Sequence, residues 1–171
     1  MRHPQCLALA YASHLAKPRL ARLLNSALSQ PAFLFRTVET LYSTPYLHIF
    51  LHHTTHTTLE LQWLDFVPSV DFRASMVELM QLAHQHHAKA LIADNRLLRA
   101  LRQADLQWSG ELVFGGLSKM GGRRFAAVES LDAMNRMGIN ALVATAIPNT
   151  QLTSQFFASI EEARAWATSP L

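Results

Sequence analysis

The chain is organised around the stretch Lys89-Ala-Leu-Ile-Ala-Asp94-Asn95-Arg96. Its apolar run, residues 90–93, ends abruptly in an acid, an amide and a guanidinium group. A strand that is buried on both faces of a parallel sheet shows continuous hydrophobic residues, because neither face meets solvent. Polar residues then mark its carboxyl end, where open α/β sheets usually present ligands or partners. The stretch therefore predicts a central parallel strand with a charged tip.

Alternating patterns precede this strand. Residues 46–53 and 59–63 place apolar and polar side chains in turn, and the short polar loop 53–57 joins them. Two such runs with a short connection are typical of a β-hairpin. The hairpin would give the sheet an antiparallel pair at its N-terminal end.

Helices and strands alternate from the hairpin to the end of the chain. A first helix is predicted from Pro68 to about His86, because proline suits a first turn and Ser69 or Asp71 can cap or complement the helix dipole. The remaining predicted elements are a helix from near Ala104 to Gly121-Gly122, a strand at 124–129, a helix after Ser130-Leu-Asp132, a strand at 152–157, and a helix opened by the capping box Ser159-Ile-Glu-Glu162.

This order predicts an α/β fold. It has a central, mostly parallel sheet of about five strands, an N-terminal hairpin and about four flanking helices. Within the second helix, Gly115-Gly116 should weaken or kink the backbone. In the third helix, the spacing of Met134, Met137 and Leu142 predicts that these three side chains face inward.

Composition limits the classes of function. The 171 residues suit one globular domain, with half of them hydrophobic and 16% charged. The single cysteine, Cys6, excludes an internal disulfide framework and a cysteine-based zinc site, and favours a reducing cytoplasm. No apolar run approaches the roughly 18 residues that could span a membrane.

The formal charge of +3 is unevenly distributed. Residues 1–44 hold five Lys or Arg against Glu39 alone, whereas residues 45–171 hold 10 against 11 Asp or Glu. A domain that binds nucleic acid through its folded face should carry the basic excess on that face, so nucleic acid is not an expected partner.

Two domains of unequal order are predicted. Residues 1–40 form a basic, poorly organised N-terminal extension, and residues 41–171 form the α/β domain. Apolar residues at helical spacing in 20–28 indicate a short amphipathic helix, which would serve as a docking or membrane-surface arm. The alternative is a loosely attached extension, or a start codon placed too far upstream.

Six segments stand in a characteristic order along the chain. They are Tyr42-Ser-Thr-Pro-Tyr46-Leu-His-Ile, Leu61-Gln-Trp63-Leu-Asp-Phe66, Ala90-Leu-Ile-Ala-Asp94-Asn95-Arg96, Ala104-Asp105-Leu-Gln-Trp108, Arg124-Phe-Ala-Ala-Val128 and Phe157-Ala-Ser-Ile-Glu-Glu-Ala163-Arg-Ala-Trp166. In their order and spacing, the chain resembles the SpoIIAA-like branch of the STAS superfamily, which is distantly similar to SEC14 lipid-binding modules. The resemblance covers about residues 42–168.

The resemblance implies a non-enzymatic regulatory or protein-interaction domain in bacterial signalling. In antagonists of that family, a partner kinase phosphorylates a serine at the start of the helix after the central strand. Here residues 94–98 contain no Ser or Thr, and the nearest serine downstream is Ser109. A phosphoserine would add nearly two negative charges to the docking face. The chain therefore departs from the family's phosphorylation cycle.

The candidate partner- or ligand-binding residues lie at and after the tip of the central strand. They are Asp94, Asn95, Arg96, Asp105 and Trp108. The alternative interpretation is structural: Asp94 caps loop amides or pairs with Arg96, and Trp108 packs in the core. The expected partner is a protein of unknown identity, and homodimerisation is left open.

A second hypothesis from another class is a binding module for a small apolar ligand. It would hold the ligand between the sheet and helices bearing Met76, Met80, Met134 and Met137, because methionine is an adaptable lining residue. Such a module predicts a deep apolar pocket of roughly 300 Å³ or more. The alternative for these methionines is ordinary core packing.

Neither a metal, a cofactor nor a catalytic site is predicted. The histidines cluster at 48–56 and 84–87 with no cysteine or carboxylate among them, which favours polar loops over a zinc site. Cys6 lies in the extension, no nucleophile elbow is present, and the glycine pairs lack the lysine of a phosphate loop. The chain is expected not to be an enzyme, and an unrecognised catalytic site is the third alternative.

Overall fold

The computed structural model describes residues 38–171. The predictions for Cys6, for the amphipathic segment 20–28 and for most of the basic extension fall outside the described residues. The strands are β1 (Val38–Ser43), β2 (Leu47–His53), β3 (Thr57–Trp63), β4 (Ala90–Asp94), β5 (Arg124–Val128) and β6 (Thr153–Phe157). The helices are α1 (Ser69–Gln85), α2 (Gln103–Gly110), α3 (Gly116–Lys119), α4 (Ala133–Ala146) and α5 (Ile160–Ala167).

The strands form one six-stranded sheet in sequence order. The pairs β1–β2 and β2–β3 are antiparallel, and the three pairs from β3 to β6 are parallel. The predicted central strand is confirmed: β4 lies between β3 and β5, with Ala93 opposite Leu61 on one side and Ala127 on the other. The predicted hairpin is β2–β3, and the α/β class with a mostly parallel sheet is confirmed.

About five strands were predicted, and β1 is an additional strand that was not expected. It pairs with β2 at the edge of the sheet, and its register shifts between Thr40 and Tyr42. The strand is mostly exposed, so its sequence lacks the alternation that marks a half-buried strand. It spans the boundary predicted between residues 40 and 41.

Helices cover the two faces of the sheet unequally. Leu91 and Ala93 face a large apolar core under α1 to α4. Ala90 and Ile92 face a smaller cluster under α5 alone. The strands near β4 are therefore buried on both faces, which is why β4 reads as an uninterrupted apolar run.

The second helix is interrupted at the glycines, as predicted. Backbone from α2 to α3 is continuous, but Glu111–Gly115 forms a π-helical turn between them. Gly121, at φ 76°, then ends the helix, and the Gly122 amide donates to the Leu117 carbonyl at 2.8 Å. Glycine is required at 121 because L-residues rarely adopt that φ.

The prediction for the inner face of α4 was wrong for two of three residues. Met134 and Met137 are exposed, whereas Leu142 packs against the core. The inward position in the first turn belongs to Asn135, whose side-chain amide donates to the Leu98 carbonyl at 2.9 Å. Because the inward position is taken by the polar Asn135, the apolar pattern assigned the inner face to Met134, one residue away.

The helix caps agree in part with the sequence. Asp132 caps α4 by accepting from the Asn135 amide at 3.0 Å, and Ser159 caps α5 by accepting from the Glu162 amide at 3.3 Å. In α1, Pro68 takes the cap position without a side-chain bond, and Ser69 donates to Asp105 instead. Within residues 38–171, no helix combines the length and apolar character that a membrane span needs.

Candidate interaction site at the carboxyl edge

Asp94 forms a two-point ion pair with Arg96 at the tip of β4. The Arg96 Nε and Nη2 atoms donate to the two Asp94 carboxylate oxygens at 2.8 and 2.7 Å, and the Arg96 amide donates to Oδ1 at 3.3 Å. Asp94 is only 2% exposed, whereas the Arg96 side chain is 39% exposed. The hydrogen bonds that Arg96 donates to the Asp94 carboxylate raise the pKa of Arg96. Asp94 therefore has the contacts of the alternative interpretation, in which it pairs with Arg96 and caps a loop amide.

Asn95 is likewise built into the protein. Its side-chain amide donates to the Ala93 carbonyl at 3.2 Å, and its backbone amide donates to the Val128 carbonyl at 3.3 Å. These two hydrogen bonds fix the position of Asn95 at the start of the loop 95–102, which connects β4 to α2. Of the three residues at the tip, Arg96 is therefore the one with substantial accessible surface.

Asp105 and Trp108 contact α1. The Asp105 carboxylate accepts from Ser69 Oγ at 2.5 Å and from Arg73 Nε at 2.8 Å. These two hydrogen bonds, the first from Ser69, lower the pKa of Asp105. The Arg73 guanidinium also lies 5.1 Å from the centre of the Trp108 ring. From the sequence, Ser69 was expected only as a cap of the first helix and Arg73 was not singled out, so their contacts with Asp105 were missed.

Exposed apolar side chains cluster at the same edge of the sheet. Leu97 is 54% exposed, Leu131 is 76% exposed and Met134 is 70% exposed. The Leu131 amide donates to the Arg96 carbonyl at 3.1 Å, so the loop 95–102 and the start of α4 are adjacent. Single exposed apolar residues are ordinary, but a group of them is typical of an interaction site. We call these three residues, with Arg99 and Arg102, the rim surface.

A small pocket lies beside the rim surface. It has a volume of about 140 Å³, and the backbone turn before α1 and the loop 95–102 form its walls. Its lining residues are Phe66, Val67, Pro68, Ser69, Ala100, Leu101, Arg102 and Asp105. Phe66 and Arg102 are exposed at the pocket, and the Asp105 carboxylate is already occupied by Ser69 and Arg73.

A signal for the rim surface was present in the sequence of α4. Its 14 residues, Ala133–Ala146, contain a single charged side chain, Arg136. A helix on the protein surface normally carries charged residues on its outer face. Because Met134 and Met137 are exposed, the shortage of charge in α4 reflects apolar residues on its outer face and not only on its inner one.

A second polar cluster lies on the opposite face of the sheet, under α5. The fully buried Glu60 carboxylate accepts from Arg164 Nε and Nη2 at 2.7 and 2.6 Å, and its Oε2 lies 2.8 Å from His52 Nε2. Burial alone would raise the pKa of Glu60, but the hydrogen bonds from Arg164 and His52 outweigh it and lower the pKa. This cluster joins β2, β3 and α5. It was missed because the partners are 104 residues apart.

The histidines do not converge in the part of the chain that the structure describes. His52 contacts Glu60, and His56 Nε2 lies 2.8 Å from the Ala167 carbonyl near the end of α5. The His48 ring instead packs edge-on against Phe50 at 5.8 Å. No group of three His, Cys, Asp or Glu residues among residues 38–171 could hold a metal ion.

The apolar space between the sheet and helices α1 to α4 is small. A cavity of about 80 Å³ is lined by Trp63, Phe72, Met76 and other core residues. This volume is well below the roughly 300 Å³ that small-molecule sites usually reach. Met134 and Met137 are exposed, so the predicted four-methionine lining is wrong for these two residues.

Comparisons with known proteins address the fold. No family model matches the chain, and no curated protein matches it in sequence. Among solved structures, it is similar to an uncharacterised protein of the DUF3478 family with a SpoIIAA-like fold from Shewanella loihica PV-4. The two chains are 14% identical with a TM-score of 0.51, and the match covers 74% of this chain and 98% of that one. The chain therefore has a SpoIIAA-like α/β fold, as its sequence resemblance implied.

Proposed function

We propose that this chain is a non-enzymatic, STAS-like interaction domain that docks on a protein partner through the rim surface. The regulatory setting that goes with this proposal is bacterial signalling in the cytoplasm. The observation that carries the proposal is the exposure of Leu97, Leu131 and Met134 together at the carboxyl edge of the sheet. This edge is where open α/β sheets usually present binding residues.

The state of the nearby charged groups supports a binding role over catalysis. Asp94 is held by Arg96, and Asp105 is held by Ser69 and Arg73. A general base must be able to reach and accept a substrate proton. Carboxylates that already accept two or more hydrogen bonds are poorly placed for that step, but they fix the backbone that presents the rim surface.

The partner would contact Arg96 rather than Asp94 or Asn95. Arg96 retains accessible surface, and its backbone carbonyl accepts from the Leu131 amide at the centre of the rim surface. Asp94 and Asn95 would act as positioning residues, because their bonds hold the loop 95–102 in place. Loops that a rigid scaffold holds in position are common carriers of binding residues.

Affinity capture with the full chain tests this proposal. Wild type and the double variant Leu97→Ser/Leu131→Ser would be used as bait in native lysate, with quantitative mass spectrometry of bound proteins. The matched control is Val77→Ser/Leu171→Ser, which changes two exposed apolar residues outside the rim surface. All three proteins should unfold at similar temperatures, because surface substitutions usually change stability by less than about 0.5 kcal/mol.

The expected result is a protein that wild type and the control capture in similar amounts and the rim variant loses. The same captured set for all three baits would contradict the proposal. Native mass spectrometry of the intact, purified chain tests the hypothesis that it binds a small apolar ligand. A stoichiometric co-purified apolar molecule, together with capture that does not depend on the rim, would replace the first function by the second.

A further inference from the structure

We infer that a cleft between the π-helical turn and α4 binds a small organic ammonium compound, in which a protonated amine is attached to an apolar body. The cleft has a volume of about 560 Å³. This volume is within the range of about 300–1,000 Å³ that small-molecule sites usually have. One wall is the end of α2 with the π-helical turn, and the other is the second half of α4 with the turn Ile147–Asn149. No residue of the rim surface lines the cleft, so the site is separate from the proposed docking surface.

Gly115 keeps one wall of the cleft open. Its backbone is helical, with φ -63° and ψ -44°, and a β-carbon there would meet no heavy atom within 4 Å. By contrast, a β-carbon at Gly110 would clash with Leu142, and one at Gly116 would clash with Met80. Packing therefore requires glycine at 110 and 116, whereas neither the backbone angles nor the neighbouring atoms require it at 115.

A glycine that the fold does not require has a cost. Glycine destabilises a helix relative to alanine, and a common use of it is to let a ligand approach the backbone closely. Gly115 also ends the π-helical turn Glu111–Gly115, and such turns are frequent at functional sites. Both observations on this wall point to a ligand in the cleft.

The polar groups of the cleft offer mainly hydrogen-bond acceptors. Within residues 38–171, the Glu111 carboxylate forms no ion pair or hydrogen bond. The side-chain amide of Asn149 donates to the Thr145 carbonyl at 3.3 Å and keeps its oxygen as an acceptor. The Thr145 hydroxyl has the Ala141 and Leu142 carbonyls as acceptors for its proton, both at 3.0 Å, and keeps its own lone pairs.

These groups favour a cation over an anion. Among the described residues that line the cleft there is no Lys, Arg or His, so nothing there would neutralise an anion beside Glu111. A protonated amine carries a positive charge and several donors, which suit a carboxylate and neutral oxygen acceptors. Phe114, Leu142 and Ala146 add apolar surface to the lining, and this surface suits an apolar body attached to the amine.

Titration of three compounds of similar shape into the full chain, followed by amide NMR spectra, tests the inference. The probes are phenethylamine, which is a cation, phenethyl alcohol, which is neutral, and hydrocinnamate, which is an anion. We expect the amine to shift the amide signals of residues 107–115 and 142–150 and to bind more tightly than the alcohol. The anion should cause no shift in these segments, because the Glu111 carboxylate repels it.

Glu111→Gln tests the charge while keeping the shape of the side chain. The affinity for the amine should fall about three- to fivefold, as expected for the loss of an exposed ion pair, and the affinity for the alcohol should not change. The matched control is Glu129→Gln, which removes an exposed acid that does not line the cleft and should bind the amine like wild type.

Gly115→Leu tests the open wall, because the new side chain would fill the cleft. It should abolish the shifts that the amine causes, while the midpoint of thermal unfolding should not fall, since leucine is a better helix former than glycine. A lower midpoint would show that the fold itself requires this glycine and would overturn the inference. Equal binding of amine and anion, unchanged affinity in Glu111→Gln, or no shifts in these segments up to the solubility limit of the amine would also overturn it. None of these measurements involves the captured protein, so the proposed function is tested separately.

Discussion

Two carboxylate–arginine pairs on the neighbouring strands β3 and β4 have nearly the same geometry but different consequences. Glu60–Arg164 and Asp94–Arg96 are both two-point pairs with a buried acid, and the arginine side chains are 38% and 39% exposed. The first pair joins residues 104 positions apart, whereas the second joins residues two positions apart. A pair between close neighbours can also form in the unfolded chain, so it contributes less to stability. Glu60 therefore holds the fold, and Asp94 shapes the rim.

The largest expected effect is on the long-range pair. Glu60→Gln should lower the free energy of unfolding by about 3 kcal/mol, the low end for a broken buried pair, because the half-open Arg164 can turn towards solvent. Urea denaturation of the variant and wild type measures the difference. The matched control is Glu111→Gln, which changes an exposed acid outside this cluster and should alter the free energy of unfolding by less than about 0.5 kcal/mol. A loss below about 1 kcal/mol for Glu60→Gln would mean that α5 is held mainly by its apolar contacts.

The same pair predicts a dependence of stability on pH. The pKa of Glu60 is lowered from its ordinary value of 4.5, so its stabilising contribution is complete above that value and is lost as the pH falls through the lowered pKa. The stability that the Glu60 carboxylate adds over Glu60→Gln should be present above pH 4.5 and should be lost as the pH falls below that value. Urea denaturation at a series of pH values checks this. If the stability difference between wild type and Glu60→Gln grew on acidification, the ionised Glu60 carboxylate would not be the stabilising form.

The local pair should have a smaller effect on stability. Asp94→Ala/Arg96→Ala should lower the free energy of unfolding by about 1–2 kcal/mol, because it removes hydrogen bonds to charged groups but leaves no buried charge unpaired. The domain should remain folded by circular dichroism, while capture of the partner is lost. A loss as large as that of Glu60→Gln would make the pair part of the scaffold and remove Arg96 from the site.

The smallest effect concerns the helix that carries Arg164. Ser159→Ala removes the cap of α5 and should cost about 0.5–1 kcal/mol. Thermal unfolding, followed by circular dichroism, measures it. Combined with Glu60→Gln, the substitution should cost less than the sum of the two single changes, because a helix that has lost its tether depends less on its cap. Full additivity would show that the cap and the ion pair stabilise α5 independently.

The comparison also explains what the sequence could predict. The central strand and its tip were predictable, because burial on both faces leaves a continuous apolar run and the pair Asp94–Arg96 is local. Glu60 has no such signal: it occupies a polar position in an alternating strand, and its burial depends on an arginine in the last helix. Contacts between residues that are far apart in the sequence can be identified only once the fold is known.

Two other differences have similar physical causes. The strand β1 is exposed at the sheet edge and shifted by a bulge, so it shows no period. In α4, the buried Asn135 replaced an apolar residue at the inward position, which led to the inward assignment of Met134 and Met137. The rim surface was hidden by that assignment. The low charge of α4 was the sequence signal that could have corrected it.

The most direct test of the central claim is amide hydrogen exchange of the full chain, alone and bound to its captured partner, read out by mass spectrometry. Docking through the rim surface predicts slower exchange in residues 96–102 and 130–137 on binding, and unchanged exchange in β2 and α5 on the Glu60 side. Protection confined to β2 and α5, with the loop 95–102 and the start of α4 unaffected, would contradict the account.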